Sequence, residues 1–284
     1  MWKRILYGFV FDNIFIAFCA VSLLKVSQVI LHLSCVLTAT DVFVFSSTLL
    51  VYNLHKSLSL LRKQSFTEVL LLVFSSLLSL EVRILICTGF AGIAVSFFFL
   101  SPAQQLLVLS LALITLAYSF PILRVRNAGK RIREIFFAKV FSISLVWSLV
   151  TVLLPAVNET FSSTSFWFLF AERVLFIFAI TIPFEIRDMQ QEKKWGNKTL
   201  PIVFGIQKSK RLACLLLILF CLLLLVQVAF SNAIESSIVV ALILCAAIAG
   251  ILVYFTNEHR NNFYFKLYVD GTMMLQYILV ILFS

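Results

Sequence analysis

The feature that most constrains this chain is a succession of apolar runs, each about as long as a bilayer requires. A transmembrane helix needs about 20 mostly apolar residues, and nine such runs are present. They lie near residues 5–24, 33–53, 82–100, 104–121, 136–155, 163–184, 212–230, 236–255 and 264–283. Because 62% of the residues are hydrophobic and only 13% are charged, a soluble globule would lack a polar shell. The sequence therefore predicts an all-α polytopic membrane protein with about nine transmembrane helices in one bundle.

Residues 64–80 form a further apolar stretch, which follows a basic turn. Its 17 residues fit a short span, an interfacial helix or a half-buried helix, and the sequence leaves these alternatives open. Neither an internal repeat nor a Gly/Ser-rich or Pro-rich linker divides the chain. We therefore expect a single transmembrane helical domain over residues 1–284.

Basic residues lie in alternate connections between the runs. The chain has 23 Lys and Arg against 13 Asp and Glu, and the basic residues concentrate in 56–63, 124–139 and 187–211, with Arg260 and Lys266 in the last of these connections. Because positive charge marks cytoplasmic connections, we expect a cytoplasmic N-terminus and an outer C-terminus, in a bacterial-type plasma membrane. The partner of these loops is then membrane lipid. Nucleic acid is excluded as a partner, since the charge does not form one soluble basic face.

The most informative polar segment follows the sixth run, in FEIRDMQQEKKWGNKTLPIVFG. Glu185, Asp188 and Glu192 stand at positions i, i+3 and i+7, which places three carboxylates on one helical face at the membrane boundary. These carboxylates repel one another unless a cation joins them, and Mg²⁺ bridged to phosphate oxygens is a natural partner. Lys198 is placed to contact the same phosphates. The alternative interpretation is a solvated helix end with mixed charges.

These residues resemble the second acidic motif of the UbiA superfamily of intramembrane prenyltransferases. The motif is an N/D-D-x-x-D-x-x-x-D pattern followed by Gly and T-L-P-V. Glu185, Asp188, Glu192, Gly196 and Thr199–Ile202 fall in register with it, with Glu replacing Asp at two positions.

A second segment also resembles that family. Tyr118 and Ser119 precede Pro121 and Arg124 at the end of the fourth run, as in the Y-S-x-P-P-x-R segment of the family. In the family, this Tyr and Ser lie near the donor diphosphate. Taken alone, the segment is also an ordinary helix exit followed by cytoplasmic charge.

The chain departs from the family at the first acidic motif, which belongs at the end of the second run. Asn53 is retained, but Leu54, Ser57 and Leu61 occupy the three acidic positions, and Lys56 adds positive charge. Two facing acidic motifs hold two divalent ions in the family, so the resemblance implies one Mg²⁺ here rather than two. Either cationic side chains replace one metal ion, or the protein no longer ionises a donor.

The resemblance implies a function and a set of residue roles. The function is transfer of a polyprenyl group from its diphosphate to an aromatic or other lipophilic acceptor. Glu185, Asp188 and Glu192 would be the catalytic magnesium ligands. The diphosphate-binding residues would be Asn53, Lys56, Tyr118, Ser119, Arg124 and Lys198. The sequence does not identify the acceptor or the chain length of the donor.

Two other classes of function also fit parts of the sequence. A non-catalytic relative would bind an isoprenoid lipid or support a membrane biosynthetic complex, and the altered first motif favours it. A small-solute transporter fits the number of spans but lacks the paired inverted halves of that class.

Charged residues inside the runs are the remaining anomaly. Asp41, Asp270 and the neighbours Glu172 and Arg173 all lie within apolar runs, where ionisable side chains face the bundle interior. Their spacing matches no recognisable site. We therefore expect them to pair with other polar groups inside the bundle.

Overall fold

The computed structural model describes residues 8–60, 79–119, 137–158, 164–231 and 234–284, and every regular element in them is a helix. Helices are the expected outcome, because in lipid each backbone N–H and C=O must be satisfied within the segment. The helices are α1 (Ile14–Ile30), α2 (Ala39–Leu60), α3 (Leu80–Phe97), α4 (Pro102–Ser119), α5 (Ala138–Ser148), α6 (Thr164–Lys194), α7 (Leu200–Phe204), α8 (Ile206–Ser231), α9 (Ser236–Phe255) and α10 (Gly271–Phe283). A π-helical segment, Leu149–Leu153, extends α5, and another, Tyr264–Val269, precedes α10.

Six helical stretches among the described residues are long and apolar enough to cross a membrane. They are Leu80–Phe97, Lys139–Ala156, Thr164–Lys194, Ile206–Phe230, Ser236–Phe255 and Tyr264–Phe283. Many large apolar side chains on these helices point outward, for example Val95, Leu222 and Leu282. The predicted all-α membrane fold is confirmed. The count of nine spans remains a prediction, and most of the segment 64–80 lies outside the described residues.

The first two helices lie further along the chain than the apolar runs predicted. The runs 5–24 and 33–53 correspond to α1 and α2, which end at Ile30 and Leu60. The predicted first run ends at residue 24, directly before Lys25. In the structure Lys25 lies inside α1 and is buried.

Lys25 is tolerated there because it forms an ion pair with Asp41 of α2. Its Nζ lies 2.9 Å from the Asp41 carboxylate and 2.9 Å from Gln28 Oε1, and it also donates to the carbonyl of Val36. Asp41 accepts a further hydrogen bond from the Thr38 backbone N–H, at 2.7 Å. The expected internal pairing is therefore found for Asp41.

The pairing expected for Glu172 is not found. Arg173 donates to Gln276 Oε1 at 2.9 Å and to Ser27 Oγ at 3.1 Å. Both Glu172 side-chain oxygens are buried without a hydrogen-bond partner among the described residues. Arg173 therefore joins α6 to α1 and α10 instead of joining its neighbour.

Helix packing closes the bundle on itself. Along the chain α1 packs on α2 and α2 on α3, while α5 packs on α6, α6 on α8, α8 on α9 and α9 on α10. The last helix, α10, packs in turn on α1. This closure brings the end of α2, the end of α6 and the start of the last span to the same end of the bundle. We call this the basic end, since it carries Lys56, Lys139 and Arg187.

A close approach between α2 and α3 yields a stability prediction. A Cβ atom added at Gly92 would lie 2.8 Å from Ser46 Cβ and closer still to its hydroxyl. We expect Gly92→Ala to lower the free energy of unfolding by about 1–3 kcal/mol, because small residues allow this helix approach. Ser46→Gly in the same background should restore it, since the substitution removes both clashing atoms.

Gly250→Ala is the matched control for this prediction. A Cβ there would meet only Leu217 Cδ1, at an ordinary 3.8 Å. Thermal unfolding in detergent compares the variants. Gly92→Ala as stable as Gly250→Ala would contradict the close approach.

Candidate functional site

The three acidic residues predicted as the site lie in the last three turns of α6. Glu185 is buried, with 3% of its side-chain surface exposed, whereas Glu192 is 12% and Asp188 is 32% exposed. Residues three, four and seven positions apart lie along one side of a helix. The backbone of α6 therefore places the three acidic residues on one face at the basic end, as predicted.

The end of α6 adds a polar residue to this face. Gly196 has a φ of 72°, the left-handed conformation that glycine adopts easily. The N–H groups of Gly196 and Asn197 donate to the carbonyls of Lys193 and Glu192, which is a Schellman ending. This turn places the Asn197 side chain 2.6 Å from Glu192 Oε2.

Lys139, in the first turn of α5, joins two of the three carboxylates. Its Nζ lies 2.7 Å from Glu185 Oε1 and 2.9 Å from Glu192 Oε1. Both distances are those of charge-assisted hydrogen bonds. A single ammonium group therefore relieves the repulsion between Glu185 and Glu192.

Asp188 is neutralised by a different cation, its neighbour Arg187. The guanidinium donates to both carboxylate oxygens, at 2.7 Å from Nε and 3.0 Å from Nη2. Arg187 also stacks over the rings of Phe184 and Phe265, at 5.0 and 5.5 Å from their centroids. These contacts hold Arg187 against the segment that precedes α10.

This arrangement leaves no open set of ligands for a metal ion. In the part of the chain that the structure describes, no group of three or more His, Cys, Asp or Glu side chains is placed to hold one. Glu185 and Glu192 hold Lys139, and Asp188 holds Arg187. A magnesium ion does not fit between these carboxylates as they are arranged. The carboxylates share the expected side of α6, but in the structure side-chain cations occupy them.

A small pocket opens beside the acidic residues. Its polar lining comes from Lys139, Glu185, Glu192, Asn197, Lys198 and Thr199. The Thr199 hydroxyl is buried and has no hydrogen-bond partner among the described residues. Lys198, predicted from the sequence, therefore does lie next to the acidic helix end.

A second polar cluster surrounds Asn53 at the same end of the bundle. Asn53 is fully buried, and its amide donates to the carbonyls of Asp12 and Leu49, at 3.1 and 2.9 Å. Its Oδ1 accepts from Asn13 Nδ2 at 3.2 Å. Asn13 Oδ1 accepts in turn from Lys266 Nζ at 3.1 Å. Asn53 thus links α2 to α1 and to the last span.

Cations border this second cluster. Lys56 Nζ lies 3.0 Å from the Phe11 carbonyl oxygen and 3.3 Å from Asp12 Oδ1. Lys266 lies over the Phe11 ring, 5.2 Å from its centroid. The positive charges of Lys56 and Arg187 act on Lys266, and so do the negative charges of Asp270 and Asp12. Lys56 and Lys266 thus both contact residues 11–13, beside Asn53.

The predicted site residues therefore fall into two groups. Asn53 and Lys56 belong to one cluster, and Lys198 lies with Glu185 and Glu192 in the other. Tyr118 and Ser119 end α4, but their side chains are not among those described. Arg124 lies outside the described residues. The roles assigned to all of these residues remain predictions.

Sequence reasoning missed Lys139 and Lys266. Both were counted as charges of the connections that mark the cytoplasmic side. The signal that could have found them is their position, since each lies in the first turn of an apolar span. A lysine there can reach inward to polar groups on neighbouring helices as well as outward to lipid head groups.

The chain is similar in sequence to a known protein family. A model of the UbiA prenyltransferase family matches residues 72–269, which include the acidic motif and Lys139. The matched region begins after Asn53, where the first acidic motif is altered. No curated protein matches the chain.

Solved structures that share the fold include two UbiA homologs. One is a UbiA homolog from Archaeoglobus fulgidus bound to GPP and Mg²⁺, with a TM-score of 0.57 and 13% identity. The other is a UbiA homolog from the same organism bound to DMAPP and Mg²⁺, with a TM-score of 0.55 and 14% identity. Each similarity covers 95% of this chain and 96% of the other.

Proposed function

Because the chain belongs to the UbiA prenyltransferase family, we propose that it transfers a prenyl group from a prenyl diphosphate to a lipophilic acceptor in the membrane. The observation that carries this proposal is the pair of cations beside the buried Asn53, Lys56 and Lys266, which contact residues 11–13. It lies at the same end of the bundle as the acidic motif. A diphosphate carries the negative charge that such a group of cations favours.

The reaction requires positive charge close to the diphosphate, which is the leaving group. The bond between donor carbon C1 and the diphosphate oxygen breaks, a bond forms between C1 and the acceptor, and the acceptor loses a proton. Negative charge grows on the departing diphosphate, so fixed cations nearby stabilise the transition state more than the bound donor. In this proposal Lys56 and Lys266 supply that stabilisation, and Asn53 holds α2, which carries Lys56, against Asp12 and Asn13.

The remaining assignments complete the proposal. Lys198 contacts the diphosphate from the acidic pocket, and Tyr118, Ser119 and Arg124 contact it from the end of α4. Magnesium, present in both related structures, has no step here, because Glu185, Asp188 and Glu192 hold side-chain cations. The basic end faces the cytoplasm of a bacterial-type plasma membrane, with the N-terminus inside and the C-terminus outside. Residues 1–284 act as one domain.

The test is turnover by the purified protein in lipid nanodiscs. Dimethylallyl, geranyl and longer prenyl diphosphates are supplied with a panel of phenolic, quinone-ring and glycerol-type acceptors. We expect pyrophosphate release together with a prenylated product that mass spectrometry identifies, and neither from heat-inactivated protein. Donor binding without release for every acceptor would support the non-catalytic alternative, a protein that binds an isoprenoid lipid.

A further inference from the structure

We propose that Lys139 is the resident cation of the acidic motif, so that the site holds a diphosphate without magnesium. The inference rests on the proposed function for its ligand, but its geometry is independent of the acceptor. The Lys139 ammonium occupies the space between Glu185 and Glu192 that a divalent ion would need.

The distances exclude joint occupancy by the lysine and a metal ion. Mg²⁺ binds its oxygen ligands at about 2.0–2.1 Å in a near-octahedral shell. The same Nζ lies 2.7 Å from one carboxylate and 2.9 Å from the other, so it fills the gap that they share. An ion in this gap would meet a like charge at contact distance.

Three further oxygens of the motif are also engaged. Glu192 Oε2 accepts from Asn197 Nδ2 at 2.6 Å, and Asp188 accepts from Arg187 through both oxygens. The Lys139 side chain is only 26% exposed, and the Glu185 side chain that it contacts is almost fully buried. A metal ion would have to displace several charge-assisted hydrogen bonds at once.

The altered first acidic motif, on α2, supports the same proposal. Ser57 stands in one of the family's acidic positions, yet its hydroxyl donates to the Asn53 carbonyl at 2.8 Å within α2. Fixed cations replace the missing carboxylates there, through Lys56 and Lys266. Thus, among the described residues, neither side offers a group of three acidic side chains placed for a metal ion, and the side around Asn53 offers positive charge to a phosphate through Lys56 and Lys266.

The first arm of the test uses a metal ion alone. Mn²⁺, a spectroscopic substitute for Mg²⁺, is titrated into the protein in nanodiscs, and free Mn²⁺ is measured by electron paramagnetic resonance. We expect Lys139→Met to bind Mn²⁺ at least about tenfold more tightly than the wild type, since it uncovers two carboxylates. Lys210→Met is the matched control, because Lys210 contacts a backbone carbonyl instead of an acid. It should bind Mn²⁺ like the wild type.

A double variant tests whether a change in Mn²⁺ binding by Lys139→Met results from misfolding. Lys139→Met leaves Glu185 buried without its cation, so Lys139→Met with Glu185→Gln removes both charges together. The double variant should fold and should lose the added Mn²⁺ affinity. Wild type that binds Mn²⁺ as tightly as Lys139→Met would overturn the proposal.

The second arm measures geranyl diphosphate binding to the wild type in EDTA and in excess Mg²⁺. We expect dissociation constants within about twofold of each other. Binding that requires Mg²⁺ would overturn the proposal. If geranyl diphosphate binds in neither condition, the proposed function is wrong, and the Mn²⁺ comparison alone decides the role of Lys139.

Discussion

Replacing Asp41 by leucine is expected to lower the free energy of unfolding by about 3–5 kcal/mol, the cost of breaking a buried ion pair by removing one partner. Asp41 is 1% exposed and is the acidic partner of Lys25, which is itself buried in α1. The variant leaves the Lys25 ammonium inside the bundle with only neutral acceptors. Thermal and denaturant unfolding of the protein in mild detergent measure the loss.

The double variant Lys25→Met with Asp41→Leu is the informative comparison. Removing both charges leaves no buried ion unpaired, so most of the stability should return. Glu235→Gln, an exposed change, should stay within about 0.5 kcal/mol of the wild type. A double variant as unstable as Asp41→Leu would show that Lys25 does not depend on Asp41.

The same ion pair shows where sequence reasoning about the fold succeeds and where it fails. The fold class followed from the length of the apolar runs alone, because lipid requires satisfied backbones. The positions of α1 and α2 did not follow, since hydropathy treats Lys25 as a residue that ends a span. The pairing with Asp41 depends on two helices meeting in space, which the pattern of one helix does not contain.

The family could be inferred from the spacing of Glu185, Asp188 and Glu192 together with the residues after Gly196, and the family match confirms it. Spacing gives the common face of a helix, but it does not give the cation that faces it. That cation, Lys139, lies 46 residues before Glu185 in the sequence. Lys266 likewise reaches Asn13 across almost the whole chain. Contacts of this kind arise from the closed packing of the bundle.

The last prediction concerns the cations near Asn53. We expect Lys56→Met with Lys266→Met to weaken geranyl diphosphate binding about 100-fold or more. Hydrogen bonds to charged groups contribute about 1.5–3 kcal/mol each, and each 1.4 kcal/mol is about tenfold in affinity. Calorimetry in EDTA measures how much these side chains contribute to the affinity for geranyl diphosphate, without any contribution from a divalent ion.

Controls separate loss of charge from loss of structure. Lys208→Met removes an exposed lysine at the same end of the bundle and should change affinity less than about twofold. Lys266→Arg keeps the charge beside Asn13 and should retain most of the binding, whereas Lys266→Met alone should not. If the double variant keeps its thermal stability and binds geranyl diphosphate within about threefold of the wild type, the donor does not bind among these cations. The diphosphate would then have to be sought beside Lys198 and Thr199, whose buried hydroxyl has no hydrogen-bond partner in the part of the chain that the structure describes.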